Sequence, residues 1–158
     1  MLVEIGISLL VSIITWSFLK FADQIIIPWY QAISYRGLKI NGKWQTKVEY
    51  EDSVKEKTIF NEDFNLEQKG HNISGTYSVR NELEDGTVSF STYDLKGVIL
   101  NNYLNLTATI RSQNETGMAC FLLIVASGGQ VLQGKSIWVN RSGTEILSFE
   151  NYSVQRVR

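Results

Sequence analysis

Hydrophobic and polar positions along the chain change period once, near residue 42. Residues 5–19 read IGISLLVSIITWSFL, fifteen positions without a charge. From Gly42 onward apolar and polar residues alternate with period two, the pattern of half-buried strands. The chain therefore predicts an apolar helix followed by a β domain.

Eight strands follow from the alternation. In 42–50, Trp44, Thr46, Val48 and Tyr50 share one face against Lys43, Gln45, Lys47 and Glu49. A charged turn, 51–56, leads to 57–68 with Phe60, Phe64 and Leu66, and the pair Glu62-Asp63 reads as turn or solvent-face charge. Residues 72–81 put Ile73, Gly75, Tyr77 and Val79 on one face, and 87–100 are long enough to bulge at Gly97. Strand 103–112 aligns Leu104, Leu106, Ala108 and Ile110. Strand 118–127, MACFLLIVAS, is apolar on both faces, and 131–140 and 145–157 complete the set. Turn chemistry separates them: Lys69-Gly70-His71, Glu84-Asp85-Gly86, Asn101-Asn102, Gly128-Gly129 and Ser142-Gly143. Every link is hairpin-length, so neighbours pair antiparallel. The expected fold is all-β, an eight-stranded antiparallel up-and-down β-barrel, because closure removes exposed edges. A two-sheet sandwich is the alternative, and it usually needs longer crossovers. A barrel of this size holds side chains or one small ligand.

Fifteen apolar residues fall short of the roughly 20 that cross a hydrocarbon core of about 30 Å. Residues 1–3 and 20–22 supply the missing length if Glu4 and Lys20 extend their charges to the interfaces. Trp29 and Tyr30 suit the headgroup level. A buried core helix and a secretory signal compete with this reading. A signal peptide, however, has a basic start and a small-residue cleavage site, and neither is present here. The expected division is an anchor at 1–24, a juxtamembrane linker at 25–40 and a barrel at 41–158. Between residues 24 and 48 the chain carries Arg36, Lys39, Lys43 and Lys47 and no acid after Asp23. The positive-inside rule then keeps the barrel in the cytoplasm, and the same cations suit anionic headgroups of the lipid bilayer.

Five N-x-S/T sequons, at Asn72, Asn105, Asn114, Asn140 and Asn151, point the other way. With 11 Asn and 25 Ser/Thr in 158 residues, chance gives about 1.7. Polar strand faces rich in these residues generate sequons freely. The charge asymmetry and the single Cys120, which permits no internal disulfide, favour the cytosol.

Composition narrows the function. A formal net charge of −1 argues against a general nucleic-acid binder, and one histidine makes a histidine metal site improbable. His71 sits in a turn without an acid or nucleophile nearby in sequence. Cys120 lies in the most apolar strand, where a buried inert thiol is the default. The chain is expected to be no enzyme and to need no cofactor. Binding fits better. Trp44, Tyr77, Tyr93 and Trp138 are strand aromatics suited to stacking, though aromatics also simply fill barrels. Arg80, Arg111, Arg141 and Arg156 are candidates for pairing with phosphate, with Arg111 and Arg156 foremost.

Gly42-Lys43-Trp44 resembles the G-x-W signature of lipocalin-like barrels. In such barrels the tryptophan closes the floor against a late basic residue, for which Arg156 is the candidate. Anchor plus compact barrel also resembles the membrane-anchored β-barrel (2TM-β type) effectors of bacterial antiphage defence. This chain offers one span where that family commonly has two. The resemblance implies an inner-membrane receptor whose cytosolic barrel senses a cyclic dinucleotide or oligonucleotide. The ligand would control homo-oligomer formation, membrane disruption and growth arrest. An anchored lipocalin-like carrier for a small apolar ligand is the alternative.

Overall fold

The computed structural model describes residues 2–51, 57–83, 85–112, 117–139 and 146–157. The chain divides into two compact units, residues 1–36 and 37–158.

The first unit is helical. Helix α1 (Leu2–Phe21) runs into a π-helical turn, Ala22–Ile26, and then into helix α2 (Ile27–Ser34). The π turn has a local cause. Pro28 lies in the first turn of α2, and in a regular helix its ring would press on the carbonyl four residues back. The helix widens just ahead of it, and the Ile27 N–H donates to the carbonyl of Ala22, five residues earlier. Helix thus occupies 25–34, the first part of the segment expected to be a linker. Gly6–Tyr30, 25 residues with none buried, is long and apolar enough to cross a membrane. At about 1.5 Å per residue it exceeds a core of about 30 Å. The Ser12 hydroxyl donates to the Ser8 carbonyl at 2.9 Å, so this polar group is satisfied within the helix.

The second unit is a closed antiparallel barrel in sequence order. Its strands are β1 (Gly42–Glu51), β2 (Lys57–Lys69), β3 (Asn72–Leu83), β4 (Val88–Leu100), β5 (Tyr103–Ile110), β6 (Met118–Ala126), β7 (Val131–Val139) and β8 (Ile146–Arg156). Alternate side chains fill the interior: Phe60, Phe64 and Leu66 from β2, Leu104, Leu106 and Ala108 from β5, Ala119, Phe121, Leu123 and Val125 from β6. Strand β6 is apolar on both faces, yet only one faces inward. Leu122 and Ile124 are exposed. Cys120 is half-exposed on the outer wall, not buried as expected, because its parity is opposite to that of Phe121.

The bulge is not at Gly97. Strand β4 pairs without interruption through Gly97↔Leu106, and the register shift lies between β7 and β8, near Gly134 and Ser136. Phe149 and Tyr152 both face inward across that shift, which an unbroken period of two would forbid. Gly97 serves close approach instead. A Cβ there would stand 2.0 Å from the Asn105 carbonyl oxygen on β5.

Strands β1 and β8 close the barrel through two Cα pairs only, Trp44↔Arg156 and Gln45↔Gln155. Beyond them the Thr46 hydroxyl donates to the Ser153 carbonyl at 2.6 Å, and Tyr50 meets Phe149 edge-on at 6.1 Å. The floor lies at the paired end. Fully buried Trp44 donates through Nε1 to the Ile40 carbonyl at 2.9 Å. Gln68 holds the same segment, accepting from the Ile40 N–H at 2.9 Å. The Arg156 guanidinium lies over the Trp44 ring at 5.4 Å and donates to the carbonyls of Asn41 and Gly129. Gly42, at φ +123°, turns the chain beneath that guanidinium.

Gly97→Ala is expected to destabilise the barrel by about 1–3 kcal/mol, since the clash is with backbone that cannot rotate away. Chemical denaturation followed by near-ultraviolet circular dichroism measures it; an unchanged midpoint would refute the packing argument.

Candidate ligand-binding site

Away from the floor, the barrel interior holds a partly open cavity of about 200 Å³. Its walls are Phe60, Tyr77, Val79, Asn81, Ser91, Tyr93, Met118, Ala119, Trp138, Val139 and Leu147, from strands β2, β3, β4, β6, β7 and β8. None of these side chains carries a formal charge. The aromatic walls brace one another: Phe60 meets Trp138 edge-on at 5.2 Å, Tyr77 lies 5.3 Å from Tyr93, and Trp138 lies 5.4 Å from Phe149. A roomier recess of about 620 Å³ lies at the β1–β8 seam, lined by polar residues such as Gln45, Lys47, Asn61 and Asp63 and reaching the buried Glu62. It is the more open of the two; the cavity inside the barrel is the better ligand site.

Of the residues singled out for binding, Tyr77, Tyr93 and Trp138 meet at the cavity. Trp44 and Arg156 are joined in the floor and do not line it. Arg80 is on the outer wall, paired with Glu82 at 2.8 Å and lying over the Phe90 ring at 5.8 Å. Arg111 is also outside. Its Nε donates to Asp94 at 3.1 Å, and the guanidinium holds that carboxyl below the usual aspartate range. Arg141 lies outside the described residues, as do the sequon asparagines Asn114 and Asn140. The described arginines therefore do not gather around a common anion. Parity explains two of them: Arg80 is three residues from inward Tyr77, and Arg111 is three from inward Ala108.

Glu62 was expected at the surface and is instead 1% exposed. It falls in the inward register of Phe60, Phe64 and Leu66, a signal present in the alternation. Its Oε2 accepts from the Tyr77 hydroxyl at 3.0 Å and from the Tyr152 hydroxyl, while Oε1 has no partner among the described residues. Burial pushes the carboxyl up to about 8, outweighing the two hydroxyl bonds that favour the charged form. The same burial, with Glu62 beside them, holds both tyrosines well above their usual range. Asn81 was likewise missed, although it continues the inward register of Tyr77 and Val79.

His71 sits in the turn between β2 and β3, its Nδ1 lying 2.9 Å from the Ile99 carbonyl on β4. Among the described residues no cluster of His, Cys, Asp and Glu is arranged to hold a metal ion. No protein-family model, curated protein or solved structure matches the chain. What the geometry itself defines is a small closed β-barrel with an aromatic-walled cavity, uncharged among the described residues, above a tryptophan–arginine floor.

A carboxyl raised from 4.5 to about 8 binds its proton more tightly folded than unfolded. Its contribution to stability is fully present below pH 4.5 and is lost as pH rises to about 8, with a slope approaching about 1.4 kcal/mol per pH unit. Glu62→Gln is expected to flatten that descent and to be the more stable protein at pH 9. Parallel pH profiles of wild type and variant would show that Glu62 is not protonated in the fold.

Proposed function

We propose that this chain is a membrane-anchored, non-catalytic receptor or carrier barrel for a small uncharged ligand. The observation that carries the reading is the cavity: about 200 Å³, aromatic-walled, and lined by no charged side chain among the described residues. A cavity of about 150 Å³ holds benzene, so this one suits a ligand of one or two rings. A cyclic dinucleotide brings two bases and two phosphates. It exceeds that volume several-fold, and its phosphates would find Arg80, Arg111 and Arg156 engaged elsewhere. The lipocalin-like alternative is thus better supported than the cyclic-nucleotide effector, and the floor geometry of Trp44 and Arg156 accords with it.

The helix Gly6–Tyr30 supplies the anchor, and the cations Arg36, Lys39, Lys43 and Lys47 beside it favour a cytoplasmic barrel. A ligand that binds such a barrel changes its behaviour only if it prefers one conformation or association state over another.

Three experiments test the reading. Full-length chain is expected to stay with membranes through an alkaline carbonate wash, while a chain lacking residues 1–30 is released; release of both removes the anchor. Solvent extraction and mass spectrometry of the purified chain are expected to yield a neutral compound of ring size. Isothermal titration with a panel of cyclic dinucleotides is expected to show no binding. Saturable cyclic-dinucleotide binding would overturn the carrier reading in favour of the effector.

A further inference from the structure

Two polar atoms in the cavity wall are left without partners. Trp138 Nε1, a donor only, and Asn81 Oδ1, an acceptor, are buried and make no hydrogen bond among the described residues. Both side chains line the cavity. They stand on β7 and β3, four strands apart in a closed eight-stranded barrel, and so on opposite walls. The indole is not free to turn its N–H to water. It is 8% exposed and braced by Phe60 at 5.2 Å, Phe149 at 5.4 Å and Tyr77 at 6.2 Å. Buried indole N–H groups almost always have an acceptor, and here the space in which one could sit is the cavity.

We infer that the cavity takes a flat neutral ring compound bearing an acceptor at one edge, for Trp138 Nε1, and a donor at the other, for Asn81 Oδ1. The inference rests on the receptor reading above and adds the chemistry of the ligand. Three observations select that class. The walls include the aromatic rings of Phe60, Tyr77 and Tyr93, which suit a planar guest. Among the described residues no cation lines the cavity, which disfavours an anion. An acyl chain would bury both polar atoms still unpaired, and a site with such groups discriminates strongly against guests that cannot bond them.

The test uses the full chain in detergent, with 6-hydroxyquinoline and naphthalene as probes of nearly equal size. Only the first has a ring-nitrogen acceptor and a hydroxyl donor at opposite edges. Isothermal titration, corrected for partition into empty micelles, is expected to give at least about tenfold tighter binding of 6-hydroxyquinoline, the worth of one or two buried hydrogen bonds. Trp138→Phe and Asn81→Leu, checked for an unchanged circular dichroism spectrum, should each erase most of that preference while sparing naphthalene. Equal binding of the two probes to the wild-type chain would overturn the inference and leave the receptor reading standing. Binding of neither would overturn both. Because the probe comparison is made on the unaltered chain, a variant that fails to fold does not blunt the test.

Discussion

The barrel depends on how its first strand meets its last. Strands β1 and β8 share two Cα pairs, and one of them sets Trp44 against Arg156. A sheet of eight antiparallel strands left open would expose two unpaired edges. Closing it requires the ends to be held where their backbones diverge soonest. Here a guanidinium stacked on an indole and bonded to the carbonyls of Asn41 and Gly129 performs that task. The contact joins residues 112 positions apart and reaches into the segment just before β1 and the turn before β7. It therefore fixes the closure of the ring, the floor and the entry of the chain together.

Closure at one end determines what the other end can do. Above the Trp44 floor the buried side chains Leu66, Ile99, Leu104 and Val154 fill the interior. Farther along, the seam is carried by the Thr46–Ser153 bond and the Tyr50–Phe149 contact, and the interior takes polar groups. Glu62 tolerates its burial because two tyrosine hydroxyls reach one oxygen and a proton neutralises the carboxyl near neutral pH. Above it the core opens into the cavity. The apolar core stabilises one half of the barrel, and the polar, incompletely paired half is where binding chemistry is available.

Much of this was legible in the chain. The alternation located every strand to within a few residues, because an inward face that must avoid water and an outward face that meets it impose period two directly. Asn101-Asn102, both at positive φ, made the tight turn their residue type favours. The candidate site was half legible. Tyr77, Tyr93 and Trp138 were singled out and do meet, whereas Arg80 and Arg111 were chosen by charge against their own strands' parity. Glu62 and Asn81 obeyed parity and were passed over, since a carboxylate or an amide in alternation reads as surface until the neighbours that bury it are known.

The sequence by itself determined the apolar helix, the eight strands, their antiparallel order and which residues of a strand share a face. These follow from local periodicity, turn chemistry and short links. Tertiary structure alone decided the position of the bulge, which answers a mismatch between β7 and β8 and not a glycine in β4. It also decided which aromatics pack and which border empty space, and that two tyrosines from β3 and β8 converge on Glu62. Those features arise from register and closure around a ring of strands. The stagger that brings Tyr152 to Glu62, 90 residues away, is a property of the closed barrel and of no single strand.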